Sequence, residues 1–195
     1  MRAHVACVGD STTQLSGWPQ KLGALLGAGY KATNYGVSGT TLLKRGDWPY
    51  WSTPAFRRSH AAHPDIVVIM LGTNDSKPVN WGAHKADFAG DYGSLIASYA
   101  TLPSRPNIYL GLCPPAGPNA YSIDGAVIAE EILPLIERIA TDAGVSTIDV
   151  YAALGGARLD ASLYSDLVHP NDKGGAVIAE TVYAALRAPA PVALR

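Results

Sequence analysis

The chain has 195 residues, 48% of them hydrophobic and 16% charged, which suits one globular domain and excludes an intrinsically disordered chain. Fifteen Lys and Arg against sixteen Asp and Glu leave a formal charge of −1, so there is no basic footprint for nucleic acid and no acidic tail. Twenty glycines and fourteen prolines are more than average and predict many loops.

The opening residues, Met1 to Val8, are too short and too interrupted for a signal peptide. The longest unbroken apolar run, Ile66 to Leu71, falls far short of the ~20 residues that cross a bilayer, so no membrane span is expected. Short apolar runs predict strands at His4–Val8, Lys31–Tyr35, Asp65–Leu71, Asn107–Leu112 and Ser146–Val150. The third is continuously apolar, as a strand covered on both faces would be. Between the strands, Phe88, Tyr92, Leu95, Ile96 and Tyr99 recur at helical spacing, as do Ile128, Ile132, Leu135, Ile136 and Ile139. Pro134 breaks the second pattern and predicts a kink or a shifted start. A last helix is expected from Asp172, capped by Asn171, through Ile178, Val182, Ala185 and Leu186. The hexapeptide Gly-Ala-Val-Ile-Ala-Glu occurs at Gly125–Glu130 and again at Gly175–Glu180; without a third copy it reads as two amphipathic helices with similar residues.

Strand–helix alternation predicts an α/β protein: a three-layer α/β/α, flavodoxin-like fold with a five-stranded parallel sheet of order 2-1-3-4-5. One domain is expected over residues 1–187, followed by a Pro/Ala-rich tail at 188–195. Two cysteines, Cys7 and Cys113, make neither a disulfide framework nor a zinc site. In that strand order a third strand separates theirs, putting them roughly 9–10 Å apart, beyond the ~7 Å a disulfide tolerates. Both are expected to be free. No metal site is expected either, since no zinc-ligand spacing occurs.

In open α/β sheets ligands bind at the carboxyl ends of the strands, where the strand order reverses. Three glycine-bearing polar loops fall there: Gly9-Asp10-Ser11-Thr12, Asn34-Tyr35-Gly36-Val37-Ser38-Gly39 and Gly72-Thr73-Asn74-Asp75. A serine needs a base to become a nucleophile, and the base needs an orienting acceptor. Asp166-Leu167-Val168-His169 offers both before the last helix, with an offset that lets one turn bring the carboxylate to the imidazole. Ser11, Asp166 and His169 are therefore the candidate catalytic residues. The backbone N–H groups of Ser11 and Gly36 and the side-chain amide of Asn74 are the candidate oxyanion donors. Each block alone has an ordinary reading as a turn or a cap; their order along the strands argues for chemistry.

These residues resemble the SGNH hydrolases, the GDSL-type esterase superfamily. Its four name-giving residues correspond to Ser11, Gly36, Asn74 and His169, within blocks that span nearly the whole chain. Thr12 stands where the GDSL name has leucine, and Leu167 where many members have glycine. The resemblance implies hydrolysis without a cofactor, through an acyl-enzyme. The runs Ile69–Trp81 and Leu42–Trp51 are similar to bacterial sialate O-acetylesterase-like proteins and carbohydrate acetylesterases.

Trp48, Tyr50, Trp51 and Trp81 are expected on loops beside the site, where aromatic faces suit stacking on a sugar ring. Trp48, Trp51 and Trp81, with Asp10, are the candidate substrate-binding residues. No insertion is long enough for a lid domain, which favours small acyl groups. His4, His60, His63 and His84 lack a carboxylate at a triad-like offset, and Lys77 reads equally as substrate-facing or solvated. The sequence thus points to a serine esterase removing small acyl groups, acetyl foremost, from a carbohydrate or other small-molecule ester. Its rivals are an arylesterase, thioesterase or lysophospholipase, and a catalytically silent glycan-binding α/β module.

Overall fold

A computed structural model describes residues 2–188. The apolar runs form five parallel strands, β1 (Ala3–Gly9), β2 (Tyr30–Gly36), β3 (Ile66–Met70), β4 (Asn107–Gly111) and β5 (Ser146–Ile148). They pair in the order β2-β1-β3-β4-β5, as expected. The fifth strand ends earlier than the sequence predicted. There the Asp149 carboxylate accepts the N–H of Ala152 and starts the short helix α8 (Val150–Ala153), so Val150 lies in a helix.

Alternation along the strands divides the core into two layers. Val5 and Cys7 of β1, with Val68 and Met70 of β3, pack against Trp18 and Leu22 of α2 (Trp18–Leu26) and Ile178 and Val182 of α9 (Asp172–Arg187). Ala6, Val8, Val67 and Ile69 face the other way, onto α3 (Pro54–Ala61), α5 (Phe88–Ala100) and α7 (Leu133–Ala143). Coverage of both faces is why β3 is apolar at every position. Each large side chain fully buried in these layers contributes about 1.5–3 kcal/mol, the main favourable term in folding. Cys7 and Cys113 are free and buried, one in each layer.

Pro134 acts where its chemistry requires. A proline inside an α-helix forfeits a backbone hydrogen bond and clashes with the carbonyl four residues earlier. The chain answers with a π-helical turn, Ile128–Ile132, after the short α6 (Gly125–Val127), and Pro134 falls in the first turn of α7. The two hexapeptide copies therefore lie in different settings, one on α6 and this π turn, the other inside α9. The Asn171 side chain caps α9 by accepting the N–H groups of Lys173 and Gly174 at 2.9 and 3.1 Å, as expected. The tail expected from Ala188 lies, past that residue, outside the described residues. Among the described residues no helix is long and apolar enough to cross a membrane.

Candidate active site

Strand register assembles the site. Gly9, the last residue of β1, lies opposite Gly36 of β2 and Met70 of β3. The segments that follow all three strands therefore open onto one rim. After β1 the chain turns at once into α1 (Ser11–Leu15), whose N-cap is Asp10; its Oδ1 accepts the Thr12 N–H at 2.9 Å. Ser11 is thus the first residue of a helix that starts at the rim.

His169 reaches Ser11 from the segment before α9. Its Nε2 lies 3.1 Å from Ser11 Oγ, and its Nδ1 lies 2.8 Å from Asp166 Oδ2. The other Asp166 oxygen accepts the N–H groups of Val168 and His169 at 3.1 and 2.8 Å, so the carboxylate is fixed to the backbone that carries the imidazole. Partial burial pushes the Asp166 carboxyl up, but the hydrogen bonds from His169, Tyr121 and Val168 outweigh it and hold the group at about 2. Leu167, between them, adopts a φ of +63°, a left-handed conformation that costs most residues about 1–2 kcal/mol. Its carbonyl is held by the Gly117 N–H at 2.9 Å.

The two other loops correct one expectation. The Gly36 N–H does not face the site: it donates to Asn34 Oδ1 at 2.8 Å, while Asn34 Nδ2 donates to the Thr13 carbonyl at 2.9 Å. Gly36 is glycine because α1 packs on it; a Cβ there would collide with the backbone of Thr13 and Gln14. Gly39, further along the same loop, lines the cavity beside Ser11 and Asn74 with a φ of +80°. Its N–H donates to no described atom of the chain. The Gln14 side chain fixes the preceding residue, accepting the Ser38 N–H at 2.7 Å and its hydroxyl at 2.6 Å.

Asn74 opens a 3-10 turn after β3, nearly buried, and its amide donates to the Thr40 carbonyl at 3.1 Å. Beneath it, the buried Asp75 carboxylate accepts the N–H groups of Leu42 and Leu43 at 2.9 and 2.8 Å. Burial pushes Asp75 up to about 7 and Asp10 up to about 6.

The expected aromatic rim is also corrected. Trp81 is buried in α4 (Pro78–His84), edge-on to Phe88, with its Nε1–H on Glu131 at 2.9 Å. Tyr50 is buried, its hydroxyl on the Tyr35 carbonyl at 2.8 Å. Trp51 is half-buried against Phe56, with Lys44 over its ring and its Nε1–H on the Leu42 carbonyl at 2.7 Å. Only Trp48 of the four stays open, 52% exposed, with its ring against Gly39. Asp10 is buried behind the helix it caps and presents no face to a substrate. Lys77 lines the cavity and pairs with Asp47 at 3.2 Å. The cavity holds about 350 Å³, and Ile123 and Val168 give it an apolar wall. Among the described residues no cluster of His, Cys, Asp and Glu is arranged to hold a metal ion.

The family model for GDSL-like lipases and acylhydrolases matches residues 7–177, from β1 into α9. The chain belongs to that family. It is 35% identical to an acetylxylan esterase of Xylanibacter ruminicola over an alignment covering 94% of this chain. The chain spans 43% of that relative's length. Among solved structures, a carbohydrate acetylesterase of Sinorhizobium meliloti, Est24, superposes with a TM-score of 0.70 at 22% identity, covering 95% of this chain and all of that one. An aryl esterase of M. smegmatis gives 0.70 at 18% identity, over 95% of this chain and 98% of its own. At these identities the superpositions speak to the fold, which is that of GDSL-family esterases. The left-handed φ of Leu167 gives a physical reason why glycine would sit comfortably at that position in other members.

Two features escaped the sequence reading. Gly39 was within reach, since Ser38-Gly39-Thr40-Thr41 continues the same polar loop. Tyr121, whose hydroxyl donates to Asp166 Oδ2 at 2.9 Å, belongs to no motif and lies 45 positions from its partner.

Proposed function

We propose that the protein is a serine esterase, with one hydrolase domain over residues 1–187, that removes acetyl groups from a carbohydrate through an acyl-enzyme. The observation that carries this reading is the unbroken relay from Ser11 Oγ through His169 to Asp166, at 3.1 and 2.8 Å, opening on a small cavity. Ser11 Oγ attacks the ester carbonyl and gives its proton to His169 Nε2. Asp166 holds the imidazole by Nδ1 and offsets the charge it gains. The carbonyl oxygen becomes an anion among the N–H groups of Ser11 and Gly39 and the amide of Asn74, donors fixed before the reaction begins. Collapse of the tetrahedral intermediate breaks the bond to the leaving alcohol, which takes the proton from His169. Water then repeats the sequence on the acyl-serine and releases the acid.

Acetyl is favoured by the size of the cavity and by the likeness to the acetylxylan esterase. A sugar as leaving group is favoured by Trp48, whose open ring stands over the loop bearing Gly39, and by the Lys77–Asp47 pair beside it. The test is acetate release from acetylated xylan and other acetylated glycans, beside a chromogenic acyl series. Turnover should be highest with acetate, and a serine-directed phosphonate should label Ser11 stoichiometrically. Ser11→Ala should lose at least about a thousandfold in kcat. Trp48→Ala should raise KM for the glycan and leave the small chromogenic acetate unchanged. Activity in Ser11→Ala, or labelling elsewhere, would sink the mechanism; preference for long acyl chains would sink the substrate.

A further inference from the structure

Asp166 Oδ2 has two donors, and the mechanism above uses one. His169 Nδ1 lies 2.8 Å away, and the Tyr121 hydroxyl donates to the same oxygen at 2.9 Å. The phenol ring stands edge-on to the imidazole, with ring centroids 5.0 Å apart and an interplanar angle of 82°. Tyr121 is held in this place although it is 48% exposed. Asn119 Oδ1 accepts the Tyr121 and Ile123 N–H groups at 2.9 and 3.2 Å, and Asn119 Nδ2 spans back to the Gly117 and Ile123 carbonyls at 2.8 and 2.9 Å. The Gly117 N–H holds the Leu167 carbonyl, between Asp166 and His169. The segment between β4 and α6 is thus tied at two points to the turn that carries both residues.

We propose that Tyr121 is a positioning residue that acts on His169 through Asp166; this rests on the serine-esterase reading. Its hydroxyl does two things. It keeps Oδ2 aimed at Nδ1 on a carboxylate that is one-third exposed and would otherwise exchange hydration waters. It also competes with Nδ1–H for that oxygen, so Asp166 stabilises the imidazolium less than a carboxylate bonded to His169 alone. The hydrogen bond to Asp166, together with its charge, pushes the Tyr121 hydroxyl above its usual value, so the phenol stays protonated and donating across the working pH range. Other ionisable groups face the pair without bonding to it: Asp10 behind Ser11, Lys77 on the cavity wall, and Asp172 in the groove beside His169. None of them shares the oxygen.

The experiment measures the rate of Ser11 labelling by the phosphonate, and kcat/KM on a chromogenic acetate, against pH in the parent, Tyr121→Phe and Tyr121→Leu. Asp166 Oδ1 stays anchored by the Val168 and His169 N–H groups when the hydroxyl is removed, so the loss of competition at Oδ2 outweighs the looser aim and stabilises the protonated imidazole. The acid limb of both profiles should then move to higher pH by about half a unit, a roughly threefold loss of rate on that limb. Tyr121→Leu should shift it equally, because the effect belongs to the hydroxyl and not the ring. Limbs that superimpose on the parent's overturn the proposal, even if plateau rates or Tm fall, since a merely structural role would lower those alone. Ser11 that fails to label in the parent overturns the esterase mechanism, and this proposal with it. Labelling with an unshifted limb overturns this proposal alone.

Discussion

Asn74 and Thr40 are joined by a hydrogen bond of 3.1 Å, from the Asn74 amide to the Thr40 carbonyl, next to Gly39. With Asp75 holding the N–H groups of Leu42 and Leu43, this makes the loops after β2 and β3 a single unit. One Asn74 amide hydrogen is spent on holding that unit; the other is free for an anion. The side chain thus places one proposed oxyanion donor while serving as another.

Asn74→Ala removes both roles at different cost. The lost bond to Thr40 is a neutral hydrogen bond and should lower stability by about 1 kcal/mol. The lost oxyanion donor should lower kcat about a hundredfold or more, with little change in substrate affinity, because its bond strengthens only as charge develops. Steady-state kinetics on the chromogenic acetate, beside a denaturant titration, separate the two. A variant that loses only affinity would make Asn74 a binding residue.

Much of this arrangement was legible in the sequence. The strand order, the Asn171 cap and the convergence of Ser11, Asn74, Asp166 and His169 on one rim follow from apolar periodicity and from loops placed at strand ends. What was not legible depends on partners distant in the chain. Gly36 and Gly39 share a loop, and only α1, which comes from earlier in the chain and presses against Gly36, separates a packing glycine from one that lines the cavity. Trp81 reads as an exposed loop aromatic until Glu131, 50 positions away, takes its indole N–H. Pairing of that kind leaves no local pattern.

The two glycines can be told apart by substitution. Gly36→Ala drives a methyl into the backbone of Thr13 and Gln14, which are main-chain atoms of α1 and cannot swing aside. It should destabilise the protein by roughly 1–3 kcal/mol or more, and activity should fall with the folded fraction. Gly39→Ala meets only the edge of the Trp48 ring, 3.3 Å away, and adds left-handed strain of roughly 1–2 kcal/mol. Its loss should appear in kcat on protein that is still folded, because a shift of this loop misplaces the Gly39 N–H. Thermal melts and kcat measured on the same preparations check this. A fully active Gly39→Ala, or an inactive but fully stable Gly36→Ala, would restore Gly36 to the site.

Stability and activity should respond to pH in opposite directions. Burial raises Asp10 to about 6 and Asp75 to about 7, against about 3.9 for aspartate in an unfolded chain. A group that holds its proton more tightly when folded stabilises the fold fully below its unfolded value, and that contribution is lost as pH rises through the folded one. For these two carboxyls the loss runs from about pH 4 to pH 7. Asp166 has the reverse sign: held at about 2, it contributes above about pH 4 and loses that contribution as the pH falls toward 2. Its partial exposure lets solvent screen the effect, so the buried pair sets the trend. Tm should therefore fall by at least about 3 °C between pH 4.5 and 7.5. Hydrolysis should rise over much of the same interval, because a histidine base works only when neutral. Asp10→Asn keeps an oxygen to cap the Thr12 N–H but cannot ionise, so its Tm should decline less steeply. Calorimetry of both proteins across that range decides it: a Tm that is flat or rising in the parent, or an unchanged slope in Asp10→Asn, would show that these carboxyls are not protonated in the fold at low pH.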